Sequence, residues 1–191
     1  MPISKIPGAG LETTGTASVN TFLRGDNAWA GTITSGTAQA STSGTSIDFT
    51  GIPSTAKRIT VMFDGVSKSG TSNFLVQLGD SGGIENTGYI GNAIGTFTGP
   101  TIINVNSTAG FPTAGDASAA SVIYGAITFN LINASTNNWV AAGIITTGNN
   151  GYNTTISGRK ALSGTLDRVR ITTVNGTDTF DAGTINIMWE S

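Results

Sequence analysis

In several stretches of this chain apolar residues recur at every second position, the period of strands. The cleanest stretch is Lys57–Asp64, where Ile59, Val61 and Phe63 point one way and Arg58, Thr60, Met62 and Asp64 the other. Asn73–Leu78 repeats the pattern with Phe74, Val76 and Leu78 inward, and Leu166–Val174 with Val169, Ile171 and Thr173 opposite Arg168, Arg170 and Thr172. Thr184–Trp189 places Ile185, Ile187 and Trp189 on one face, and Thr45–Phe49 reads as a short strand. Each of these has one core face and one solvent face.

The greasiest segment is Ser121–Thr147. Two apolar runs, Val122–Ile132 and Trp139–Ile145, flank the turn-forming residues Asn133–Asn138, which predicts a long β-hairpin. Its first arm is apolar on both faces, so the expectation is a strand covered on both sides, by this chain or by copies of it. Asn106–Ala117 reads as a loop, while Gly148-Asn149-Asn150-Gly151 and Asn175-Gly176 read as turns. Glycines 88, 91, 95 and 99 predict bends or bulges between Thr87 and Val105. About nine or ten short strands at close spacing specify an all-β fold, a two-sheet antiparallel β-sandwich of jelly-roll-like type.

Composition agrees and narrows the chemistry. The chain has 191 residues with 27 glycines and only 10% charged residues. Side chains that favour helices are scarce. With 9 basic and 11 acidic residues scattered singly, no basic footprint exists for a phosphate backbone, so nucleic acid is not an expected partner. No cysteine is present, which excludes disulfides and thiolate chemistry. The segment around Lys5 lacks the apolar core of a Sec signal, and no apolar run is long enough to span a bilayer, so no membrane insertion is expected.

Residues 1–44 are different in character, with few apolar positions and no sustained period, and read as an extended N-terminal arm ahead of a sandwich over 45–191. Its large apolar anchors are Ile6, Leu11, Phe22, Leu23 and Trp29, candidates for attachment to another subunit or a neighbouring protein. Within the arm, Thr21–Ala30, TFLRGDNAWA, follows the small residues 15–20 and resembles the TFLRGDGTWA segment of tail fibres and other appendages of tailed bacteriophages. Asn27-Ala28 stands where Gly-Thr is usual. Asp178–Glu190, DTFDAGTINIMWE, is similar to the last strand of phage fibre and spike domains. The resemblance implies a virion protein, displayed on the phage particle after assembly in host cytoplasm, forming a homotrimer and contacting other tail or capsid proteins. Two functions fit: a short tail fibre or receptor-binding protein that adsorbs to a host surface glycan, or a capsid decoration protein or head fibre. Arg24-Gly25-Asp26 also spells an adhesion tripeptide, but a three-residue match is cheap and the linker motif accounts for it.

Catalytic chemistry finds little footing. The histidine count is zero, which removes the Ser-His-Asp and Cys-His arrangements and most zinc sites. Strand alternation puts no carboxylate pair on one face, and Asp178–Asp181 lacks a dense calcium loop. The expectation is a protein that is not an enzyme and needs no cofactor or metal. Surface recognition is left to Tyr89, Trp139, Asn149, Asn150 and Tyr152, aromatics and amides near turns that suit stacking on sugars; burial is the competing reading for Trp139.

Overall fold

The computed structural model describes residues 21–23, 29–31, 33–97, 100–148 and 151–191. The chain divides into two units, Met1–Thr34 and Ser35–Ser191. In the first, β1 (Thr21–Leu23) and β2 (Trp29–Gly31) pair antiparallel with Leu23 opposite Trp29, so the TFLRGDNAWA segment supplies both strands of a small hairpin. Ile6, Leu11 and residues 24–28 between the strands lie outside the described residues.

The second unit is a β-sandwich without helix among the described residues. It comprises β3 (Thr34–Ser35), β4 (Gln39–Ala40), β5 (Ile47–Thr50), β6 (Arg58–Lys68), β7 (Phe74–Asp80), β8 (Gly83–Ile84), β9 (Tyr89–Thr96) and β10 (Ile102–Ser107). Then come β11 (Phe111–Pro112), β12 (Ile123–Asn133), β13 (Asn138–Thr147), β14 (Tyr152–Ala161), β15 (Leu166–Thr173) and β16 (Phe180–Glu190). One sheet runs β10-β9-β14-β13-β12-β6-β16-β3, with β4 also on β16. The other runs β11-β7-β15-β5, with β8 also on β7. The sandwich therefore begins about ten residues before the expected boundary at Thr45: Ser41 is fully buried, and its N–H and hydroxyl both donate to β16, to Gly183 O at 2.9 Å and Ala182 O at 2.8 Å.

Between the sheets lies one core. Ile59, Val61 and Phe63 of β6, Ile127 and Phe129 of β12, and Ile185 and Ile187 of β16 face Phe74, Val76 and Leu78 of β7 and Val169 and Ile171 of β15. Each such side chain contributes roughly 1.5–3 kcal/mol by leaving water. Phe111 ties the layers together, edge-on to Tyr89 at 5.2 Å and tilted against Phe129 at 5.3 Å.

Two expectations change. β7, read as half-exposed, is buried along its whole length, because residues 109–110 cross over its second face: Gln77 Nε2 donates to Ala109 O at 2.9 Å. The central ribbon departs in the opposite sense. β12 and β13 do form the long hairpin, but from β12 it is Ile123, Ile127 and Phe129, with the partly buried Leu131, that face the core. Tyr124, Ile132 and Ile144 are exposed, so among the described residues the ribbon is covered on one face only.

Candidate functional site

The largest feature to which chemistry can be assigned is that uncovered outer face of the nine-stranded sheet. Antiparallel register aligns its outward side chains in rows. One row reads Asn104, Ile94, Thr155, Ile144, Ala126, Met62, Asn186 from β10 to β16. The next reads Asn106, Asn92, Ser157, Ala142, Thr128, Thr60, Met188. Neither contains a charged residue. Charges enter only in flanking rows: Arg159, the Arg58–Glu190 ion pair with Arg58 Nε donating at 2.9 Å, and Asp64 beyond Met62.

Short-range order runs along these rows. Asn92 Nδ2 donates to Asn104 Oδ1 at 2.7 Å and Asn106 Oδ1 at 2.6 Å, and the Thr60 and Thr128 hydroxyls meet at 3.2 Å. Amides and hydroxyls thus hold each other in place while aliphatic side chains stand proud, Ile144 at 65% and Ile90 at 59% exposure. At about 4.8 Å between strands and 7 Å between rows, seven strands and four rows span roughly 600–900 Å² of sheet. That is of the order of what one partner of a stable complex contributes, about 800 Å². The two central rows carry no group that titrates near neutrality.

The sequence-derived recognition residues fare unevenly. Tyr89 is 2% exposed and belongs to the core: its hydroxyl accepts from Leu78 N at 2.7 Å and donates to Glu85 O at 2.9 Å, bridging the sheets. Burial holds that phenol far above its ordinary pKa. Trp139, also 2% exposed, is core as well, because its register places it on the inward face of β13. Both leave the set of surface candidates. Tyr152 is half-buried, packed on Phe97 with ring centroids 5.0 Å apart. Asn149 and Asn150 lie outside the described residues, as do the side chains of Phe22 and Trp29; Leu23 is exposed.

Asp178, considered for calcium, is taken up by a turn. Asn175 Nδ2 donates to its Oδ1 at 2.7 Å and Ser72 N to its Oδ2 at 2.9 Å, and these bonds hold the carboxyl below its usual pKa. Among the described residues no cluster of three metal-ligating side chains forms.

The pattern gave no warning of a buried ionic cluster between the sheets. Lys68, at the end of β6, is 0% exposed and Asp116 is 1% exposed. Lys68 Nζ lies 3.5 Å from Asp116 Oδ2, donates to Asp116 O at 2.6 Å and sits 4.2 Å above the Phe74 ring. Thr113 Oγ1 lies 2.7 Å from Oδ1 and 2.8 Å from Oδ2 of Asp116, and Phe74 N donates to Oδ2 at 3.1 Å. Both residues sit in polar sequence that reads as loop, so no periodicity marks them.

No protein-family model matches the chain, and no curated protein does. A crystal structure of a protein of unknown function, SO2946 from Shewanella oneidensis MR-1, aligns over 100% of this chain and 96% of its own at 8% identity, with a TM-score of 0.29. That likeness is too distant to bear on fold or function.

Proposed function

We propose that this protein is a structural component of a bacteriophage particle, a short tail fibre or receptor-binding protein that self-associates as a homotrimer and contacts the host surface. What supports the reading is the uncharged outer face of the nine-stranded sheet, together with the resemblance of TFLRGDNAWA to phage appendage linkers. Such a face leaves Ile94 and Ile144 in water unless another surface covers it. A neighbouring copy is a fitting cover, since the central rows bring no like charges together.

A second reading, capsid decoration or head fibre, draws on the same face: it is broad and uncharged along its central rows, which suits contact with a shell, where a small ligand favours a cleft. Light scattering after size exclusion tests self-association. The wild-type chain is expected at three times its formula mass, and Ile94→Arg with Ile144→Arg at one. A wild-type monomer at about 50 µM, above the dissociation constants of stable oligomers, would overturn the trimer. Immunogold labelling of virions separates the two readings, with label at the tail tip for the fibre and over the head for decoration.

A further inference from the structure

We propose that Lys68 and Asp116 are joined by an intramolecular isopeptide bond, formed by the folded chain on itself. Both groups are cut off from water, Lys68 at 0% and Asp116 at 1% exposure. Holding two full charges there carries a desolvation cost that their attraction offsets only with excellent geometry. The geometry is incomplete: Nζ is 3.5 Å from the nearest carboxylate oxygen, and an aromatic face occupies another side of the amine. An amide between the two side chains carries no charge and removes the deficit.

The surroundings also prepare the reaction. Desolvation depresses the Lys68 pKa, against the pull of Asp116, and so favours the neutral amine that acts as nucleophile. Other acidic groups whose field reaches it are Asp178 and Asp181. Transfer of one proton from the Lys68 ammonium to the Asp116 carboxylate gives amine and carboxylic acid. The amine lone pair then attacks Asp116 Cγ, and the developing oxyanion lies where the Thr113 hydroxyl and the Phe74 N–H already meet the carboxylate oxygens. Collapse breaks one Cγ–O bond; that oxygen departs as water with one proton from the acid and one from the amine. The products are an amide and one water molecule, with no oxidant, reductant or co-reactant.

Proximity contributes the rest. The folded sheets hold nucleophile and electrophile in contact, which converts a sluggish bimolecular condensation into an intramolecular one. Lys160 provides an internal comparison. It pairs with Glu85, but that carboxylate is 21% exposed on its side chain and also accepts from Ser163 N at 2.7 Å, so it keeps contact with water and a second donor.

Intact mass spectrometry of the denatured wild-type protein provides the test. The expected mass is the formula mass less one water, and Lys68→Arg, which keeps a buried cation but no primary amine, is expected at its full formula mass. Trypsin locates the bond, because no Lys or Arg lies between Lys68 and Arg159. A blocked Lys68 leaves residues 59–159 as one internally linked fragment, whereas a free one releases 59–68. The full wild-type mass, a released 59–68 peptide, a water loss confined to Asp116 as a succinimide, or a link at Lys160 would each overturn the proposal. The wild-type measurement stands even if the variant fails to fold.

Discussion

At Tyr89 a side chain chosen for its surface chemistry turns out to close the core. Its ring packs against Phe111, and its hydroxyl meets Leu78 N and O as well as Glu85 O. Removing that hydroxyl leaves buried backbone polar groups without a partner, a loss of about 1–3 kcal/mol. Tyr89→Phe is therefore expected to lower the urea midpoint while keeping the far-ultraviolet circular dichroism of the wild type. An unchanged midpoint would show that the hydroxyl is not a bridge between the layers. Misplacement of Tyr89 has a physical origin in its strand: along β9 the inward positions are Tyr89, Gly91, Ala93 and Gly95, and the outward ones include Ile90 and Ile94. Small residues face in because another backbone passes close, a Cβ at Gly91 falling 2.3 Å from Gly110 O. Hydrophobicity alone then points the wrong way.

Elements were legible wherever one face is aliphatic and the other polar. β6, β15 and β16 follow the alternation read from the chain, with Ile59, Val61, Val169, Ile171, Ile185 and Ile187 all buried. The long hairpin of β12 and β13 was legible too, from its two apolar runs and the intervening turn. Less visible were features that depend on what crosses above a strand, among them the second cover on β7 and the missing second cover on β12. The turn between β15 and β16 carries a prediction of its own. Asn175 Oδ1 accepts from Thr177 N at 3.0 Å and Thr173 Oγ1 at 2.8 Å, while Asp178 is bonded to Asn175 and Ser72. Because these bonds lower the Asp178 pKa in the folded state, their contribution is present above the ordinary carboxylate range, near pH 4, and is lost as pH falls through the folded value. Asp178→Ala should flatten the decline of the denaturation midpoint between about pH 5 and 2 relative to wild type. Equal slopes in both proteins would remove Asp178 from the acid response. Asp80, held low by the Ser163 hydroxyl and the Gly82 N–H, and Glu85, also held below its ordinary value, titrate in the same direction and contribute to the slope that remains.

On the scale of the whole molecule, the layers differ in purpose. The five-stranded sheet is short and carries the Arg170–Asp48 pair on its outer side, bidentate at 2.7 Å for both bonds. The nine-stranded sheet is long and bare of charge across its middle rows. The self-association proposed above concerns the second of these alone. A further property follows from the last strand. Gly36 N donates to Ile187 O at 2.7 Å, and Lys57 N to Glu190 O, so the start of the sandwich is stitched to its finish. The domain can therefore be rewired: a short linker from Ser191 to Ser35, with new ends cut into the exposed turn at 134–137, should leave the sandwich intact, read as a cooperative melt close to that of the parent. By the same adjacency, a cargo grafted after Ser191 would emerge beside the sandwich's own entry point, leaving the opposite pole unobstructed.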